Sequence, residues 1–392
     1  MPDMSVEIAG VKFPNPVHLA SSGVGWNSKT LRECAQGGAG GLVPKTIAPK
    51  QTNHPRRGRM ELVRHNNDVI GMVNLELFST IPYERWLDKD LEETAESGIP
   101  IMASILSDPD PNYTKKVVEE VTDTGYVDFI ELNVSCPMPV EETGMHISRD
   151  PKLIKEQVEY AKRGTDVPVA VKLTPNYAYI DDIAKAAEKG GADALVSANS
   201  VHSLHGVDIE NEELNLSAFG GYSGPAIKPI NLKCTAQAFE AVDIPIIGVG
   251  GIETWEDAVE YIMLGASAVQ VATAPQWEGT EIFNDINSGI KSFMEEKGYE
   301  KIDDFKGAAI DNLSSAEELS ELEPMHAKVD KETCIGCKIC ERVCSFDAIK
   351  MHGEIAKVNE ENCDGCKLCV SWCPVDAIEL VEYEDKSKIK RR

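Results

Sequence analysis

The stretch VPVAVKLTPNYAYIDDIAKAAEKGGADALVSANS, residues 167–200, decides how the first 300 residues fold. VPVAVKLT (167–174) is almost continuously apolar. A strand with one wet face would alternate, so this run belongs to a strand covered on both faces. YIDDIAKAAEKGG (179–191) has the apolar spacing of a helix, and its paired glycines mark the helix end. ADALVSAN (192–199) is a second apolar run. Strand, helix and strand in this order form a parallel β–α–β unit.

The unit repeats along the chain. Further apolar runs are VHLAS (17–21), GLVPKTI (41–47), IPIMASI (99–105), FIELNVS (129–135), IPIIGVGG (244–251) and ASAVQVAT (266–273). Helical patterns such as DPKLIKEQVEYAKRG lie between them. Eight such strands predict an α/β fold, a closed (β/α)8 TIM barrel. An open doubly wound sheet would need a Gly-rich dinucleotide turn after an early strand. No G-x-G-x-x-G is present, and GGAGG at 37–41 precedes a strand and reads as a helix terminator. A chain of 392 residues suits a barrel of roughly 250 residues with a small second domain.

That second domain lies at the C-terminus. Of 11 cysteines, Cys334, Cys337, Cys340 and Cys344 have the spacing C-x2-C-x2-C-x3-C. Cys363, Cys366, Cys369 and Cys373 repeat it, followed by Pro374. This is the bacterial ferredoxin run, in which the fourth cysteine of each run serves the other cluster. The expected sets are Cys334, Cys337, Cys340 and Cys373 for one [4Fe-4S] cluster, and Cys363, Cys366, Cys369 and Cys344 for the second. Zinc is usually closed by two C-x2-C pairs, and disulfides do not suit a reducing compartment. Ser345 replaces the customary proline of the first run without changing the ligand count. DAIKM and DAIEL follow the two runs, as in a duplicated small domain. The expected domains are a barrel over 1–300, a linker over 301–326, a two-[4Fe-4S] ferredoxin domain over 327–382 and a basic tail over 383–392.

The formal net charge of −26 repels phosphates and acidic lipid surfaces, so neither nucleic acid nor membrane is an expected partner. No apolar run approaches the roughly 20 residues of a membrane span. MPDMSVEIAG at the start has no secretory pattern, and a cytoplasmic location is expected.

In barrels of this type function sits at the C-terminal ends of the strands. Those ends carry Ala20, Ser21, Lys45, Thr46, Ser104, Asn133, Cys136, Lys172, Asn199, Ser200, Gly250, Gly251, Ala272 and Thr273. The two lysines would converge on an electron-rich ligand. The small residues after the last two strands suit a phosphate held by backbone N–H donors. Clusters pass single electrons, so the expected phosphate-bearing cofactor is flavin mononucleotide (FMN), which couples one-electron carriers to hydride transfer.

Together these residues resemble the dihydroorotate dehydrogenase / dihydropyrimidine dehydrogenase family. The chain is most similar to the FMN barrel and ferredoxin portion of the dihydropyrimidine dehydrogenases, a separate subunit in bacteria. The matching segments are VPKTI, GMVNLELFS, ELNVSCP, VKLTPN, SANSV, FGGYSGPAIKPI, VGGI and the double cysteine run. The resemblance implies that Ala20, Ser21, Lys45, Thr46, Asn133, Lys172, Ser223, Gly224, Gly250, Gly251, Ala272 and Thr273 hold FMN. It implies that Asn74, Glu76, Asn133, Asn199 and Ser200 hold a flat ring edged with N–H and C=O groups. Glu76 matches the pyrimidine pattern, and a glutamate there would repel the carboxylate of orotate.

Cys136 matches the family's acid/base, since a thiol can give a proton to a ring carbon and a thiolate can remove it. The other two isolated thiols, Cys34 and Cys234, lie in helical segments and read as small buried hydrophobes. Met138 and Phe78 depart from the family pattern in the active-site loop and the substrate segment. His146 and His202 fall in neighbouring loops, where histidines are usually bystanders. The expected function is interconversion of uracil or thymine and 5,6-dihydropyrimidines by an FMN and iron–sulfur oxidoreductase acting on CH–CH groups. Dihydroorotate oxidation, reduction of a related ring, and an electron relay without substrate chemistry are the alternatives. No nicotinamide motif appears, so the expected partners are an NAD(P)H-oxidising flavoprotein subunit or a soluble ferredoxin, in a homo- or hetero-oligomer.

Overall fold

The computed structural model describes residues 1–49, 58–135, 146–177 and 179–383. The chain divides into two compact units, Met1–Asn312 and Leu313–Arg392. In the first, strands β1 (Val17–Leu19), β2 (Met102–Leu106), β3 (Phe129–Asn133), β4 (Val169–Lys172), β5 (Ala194–Ser197), β6 (Ile246–Val249) and β7 (Ala266–Val271) form one parallel sheet. Its order is β1-β7-β6-β5-β4-β3-β2. The gap between β1 and β2 is filled by residues 41–47. Leu42 bridges Leu19 on one side and Ile101 on the other, and Ile47 bridges Ile105. This closes an eight-membered barrel. The predicted second strand is thus present in place but not as a regular strand. Pro44 has no N–H for a ladder, and the next amide, Lys45 N–H, turns away to the Gly25 carbonyl at 2.8 Å.

The main helices are α1 (Ser28–Gln36), α2 (Pro111–Thr122), α3 (Pro151–Lys162), α4 (Ile180–Lys189), α5 (Lys228–Ala241), α6 (Trp255–Met263) and α7 (Ile282–Lys297). Asp150 caps α3 through Lys152 N–H, with Pro151 at the first helical position, and Gly190 ends α4. Their apolar faces cover the outside of the barrel, with Ile154, Val158, Ile183 and Ala187 fully buried. The barrel interior is a separate layer of Met102, Phe129, Ala170, Ala194, Val196 and Ile247. Ile8 and Phe13, from a hairpin of Val6–Ile8 and Val11–Phe13, join that layer at the strand starts. Function is thereby left to the other end of the barrel.

At that end stands an antiparallel sheet of four strands that the apolar runs did not predict. Its order is Val201–Ser203, Gly220–Ser223, Asp68–Asn74, Met60–His65. Residues 301–312, expected as linker, belong to the first unit: Ile302 and Phe305 are buried in its core. Cys34 and Cys234 are buried as expected, and burial pushes their thiols up to about 12 and about 11.

The second unit pairs Met325–Val329 with Ile378–Glu382 and Ile349–His352 with Ile355–Val358. Ala327, Ile349, Ala356 and Ile378 form a small core with Cys340 and Cys369. Among the described residues no helix is long and apolar enough to cross a membrane.

Candidate flavin and iron–sulfur sites

A cleft of about 1100 Å3, its open mouth included, lies over the C-terminal ends of the barrel strands. Of the residues expected to hold FMN or substrate, Ala20, Ser21, Thr46, Asn74, Glu76, Asn133, Lys172 and Asn199 line it. So do Ser200, Ser223, Gly224, Gly250, Gly251, Ala272 and Thr273. Lys45 does not line it. The lysine is buried and pairs instead with Glu76, Nζ to Oε2 at 3.6 Å. Arg59 reaches the other oxygen of Glu76 at 3.2 Å. Glu76 is therefore a carboxylate between two cations, so its charge alone does not exclude an anionic ring.

The polar wall is tied together. Thr46 Oγ1 lies 3.2 Å from Ser21 Oγ and 3.0 Å from Ser104 Oγ, and it accepts from Asn133 Nδ2 at 3.1 Å. Asn133 Oδ1 accepts from Ser135 N–H at 3.1 Å. Asn199 Nδ2 donates to Ser135 Oγ at 2.9 Å. Asn74 Nδ2 donates to the Gly221 carbonyl at 3.2 Å, and Asn74 Oδ1 accepts from Glu76 N–H at 3.2 Å. Each amide keeps at least one lone pair or N–H for a ligand, and none can rotate freely.

The opposite wall is backbone. Gly250 and Gly251 adopt φ values of +128° and +70°, and a Cβ on Gly250 would sit 2.2 Å from Asn231 Nδ2. Asn231 is fully buried and donates to the Val249 carbonyl at 2.8 Å and the Ala198 carbonyl at 2.9 Å, which fixes this turn. Among the described residues the amides of Gly251 and Thr273 have no protein acceptor. Amides of this kind beside small side chains fit a phosphate.

Lys228 backs the turn, 2.5 Å from Asp257 and 2.9 Å from Glu260. Asp257 also accepts from Glu253 and Thr254 N–H, both at 2.9 Å. Burial alone would raise its carboxyl, but the bonds from Lys228 and the two amides outweigh burial and hold it below the usual range. A depressed carboxyl contributes stability above its unfolded value, near 3.9, and loses it as pH falls through the folded value. Asp257→Asn is expected to cost about 1–2 kcal/mol at pH 7 in denaturant unfolding. The gap between variant and parent should close as pH drops below about 4.

Sequence reasoning missed Glu131 and Gln270, polar residues inside the apolar runs of β3 and β7 that are fully buried. A charged or amide side chain inside such a run was the available signal. It also missed Arg59, Met60 and Met72, which come to the site through the four-stranded sheet. Phe78 does not line the cleft and is buried against Ala48 and Leu106. His202 packs on Phe219 at 5.5 Å and lines a separate cavity with Arg149 and Asn176; His146 is exposed. Cys136 and Met138 lie outside the described residues. The chain reaches position 136 from Ser135, which is bonded to both Asn133 and Asn199.

In the second unit two cavities are ringed by cysteines. One is lined by Cys334, Cys337, Cys340 and Cys373, the other by Cys344, Cys363, Cys366 and Cys369. Each therefore takes three thiols from one run and one from the other. Backbone N–H groups of Ala327, Ala348 and Ala377 donate to the Sγ atoms of Cys363, Cys344 and Cys373 at 3.3, 3.4 and 3.2 Å. Such bonds favour thiolate over thiol, which fits iron–sulfur ligation.

Comparison with known proteins agrees with both units. Residues 3–294 match the dihydroorotate dehydrogenase family, and residues 327–380 match a 4Fe-4S dicluster domain. The chain is 34% identical over 354 residues to the NAD-dependent dihydropyrimidine dehydrogenase subunit PreA of Escherichia coli, covering 87% of this chain and 85% of that one. It is 40% identical over 306 residues to the catalytic subunit of dihydroorotate dehydrogenase B (NAD(+)) of Methanosarcina mazei, covering 77% and 94%. The fold is similar to that of a dihydroorotate dehydrogenase from Eimeria tenella solved in complex with ferulenol. That match has a TM-score of 0.65 at 21% identity and covers 79% of this chain and 89% of the other. The chain belongs to the dihydroorotate dehydrogenase family of oxidoreductases acting on CH–CH groups, with a 4Fe-4S ferredoxin domain in the same polypeptide.

Proposed function

We propose that this protein interconverts uracil or thymine and their 5,6-dihydro forms, with FMN in the barrel cleft and two [4Fe-4S] clusters in the ferredoxin domain. The observation that carries this reading is the convergence of Asn74, Glu76, Asn133, Asn199 and Ser200 on one cleft with Lys172 and the Gly250–Gly251 turn. Bound there, FMN supplies hydride exchange with the ring and single-electron exchange with the clusters. The chain's own residues do the rest. Gly250, Gly251, Ala272 and Thr273 hold the phosphate. Asn74, Asn133 and Asn199 present both donors and acceptors to the edge of a cyclic amide, and Glu76 accepts from a ring N–H. Cys136 gives its thiol proton to the ring carbon that does not receive hydride, and takes it back in the reverse direction. Electrons enter or leave through an NAD(P)H-oxidising flavoprotein subunit or a soluble ferredoxin.

Dihydroorotate oxidation is the second reading. It is favoured by Lys45 and Arg59, which flank Glu76 and offset its charge, so that the repulsion of a ring carboxylate by Glu76 is reduced. Anaerobic titration of the reduced, cluster-loaded protein with uracil, thymine and orotate, followed by flavin absorbance, separates the two. Reoxidation by uracil or thymine is expected. Reoxidation by orotate alone would select the second reading, and failure of all three would sink the pyrimidine assignment.

A further inference from the structure

Three buried side chains from three different strands meet inside the barrel. Lys172 of β4 is 4% exposed, and Glu131 of β3 and Gln270 of β7 are fully buried. Lys172 Nζ donates to Glu131 Oε1 at 3.3 Å and to Gln270 Oε1 at 3.4 Å. Gln270 Nε2 donates to Glu131 Oε2 at 2.9 Å. The triangle is closed, and its polarity is fixed. An ammonium needs acceptors, so Gln270 must turn its oxygen to Lys172 and its nitrogen to the carboxylate. Lys172 and Gln270 line the cleft, whereas Glu131 does not. Glu131 lies deeper in the barrel, its strand position opposite Ala170 and Ser104.

An ammonium has three N–H donors. Two of them are taken by Glu131 and Gln270. The third is therefore directed by the other two rather than by the lysine's own flexible stem. The carboxylate also offsets most of the lysine's charge at close range. In a low-dielectric interior an uncompensated neighbour would act strongly on a bound ligand.

We propose that Glu131 and Gln270 are positioning residues that aim one Lys172 N–H at the cleft and set how much positive charge a bound flavin experiences. This rests on the reading of the cleft as an FMN site. Glu131 would thereby hold the flavin's reduction potential down, and Lys172 would hold it up. Gln270 bonds to both partners and so holds the second Lys172 N–H away from the carboxylate.

The test is the flavin midpoint potential of the purified, FMN-loaded protein, measured spectroelectrochemically, together with the FMN dissociation constant. Glu131→Gln keeps the shape and removes the charge. It is expected to favour reduced over oxidised flavin about tenfold, close to 30 mV for a two-electron couple. Gln270→Glu places a second carboxylate beside Lys172 and is expected to shift the potential by a similar factor in the opposite direction. In a Lys172→Met background, where the potential itself should fall, Glu131→Gln should shift the potential less than it does alone. An unchanged or lowered potential in a fully loaded Glu131→Gln protein overturns the proposal. So does an equal shift with and without Lys172. Should Glu131→Gln fail to fold, the direction of the Gln270→Glu shift decides. Failure of the parent protein to bind FMN at all is a different result, and it would overturn the reading of the cleft instead.

Discussion

Cys136→Ala is expected to lower ring-reduction turnover by about 10²–10⁴-fold, the usual worth of a positioned acid or base. Flavin content and cluster content should stay at parent levels, because the residues proposed to hold FMN and the clusters are others. Saturation of a double bond needs a proton as well as a hydride. The amides of Asn74, Asn133 and Asn199 can orient a ring but are far too weak as acids to protonate carbon. Ser200 has the same limit. Cys136→Ser should recover little, since a hydroxyl is a much weaker acid than a thiol. The pH profile of turnover should lose one ionisation in both variants. The measurement is steady-state reduction with an artificial donor, so that electron delivery is common to all proteins. Parent-level turnover in Cys136→Ala would assign the proton to another group and favour an electron relay without ring chemistry.

Cys373→Ser should abolish electron delivery through the ferredoxin domain while leaving chemically reduced flavin able to reduce the ring. Cys373 belongs by sequence to the second cysteine run, but it lines the cavity of Cys334, Cys337 and Cys340. The variant should therefore lose the cluster of the first run and about half the iron. Cys344→Ser should do the converse, because Cys344 lines the cavity of Cys363, Cys366 and Cys369. Iron analysis and electron paramagnetic resonance of the reduced proteins check both. If Cys373→Ser instead removed the cluster of its own run, the crossed arrangement would be wrong.

Most of the fold was legible because it is written in local patterns. Seven of the apolar runs coincide with a barrel strand, since a strand buried on both faces is apolar over most of its length. The eighth, at 41–47, keeps its place without a regular ladder because Pro44 cannot donate. The cysteine pairing across the two runs was legible for the same reason: ligand spacing constrains where thiols can point. The boundary at 300 was less so. The apolar side chains of residues 301–312 are scattered among charged ones with no strand or helix spacing, and only docking buries Ile302 and Phe305.

The site divides along the same line. The residue types at the strand ends follow from the sequence, because strand direction places them on one face of the barrel. Their partners do not. Lys45 belongs to Glu76 rather than to the cleft, and Arg59 arrives just ahead of the strand Met60–His65, whose mostly exposed residues give little apolar signal. Glu131, Lys172 and Gln270 are separated by up to 139 positions and meet within 3.4 Å. By itself the sequence determined the barrel, the cysteine sets and the small polar rim of the cleft, all of which depend on periodicity or spacing. Only the tertiary structure decided which charges neutralise one another, because that depends on distances across the barrel that no local pattern encodes.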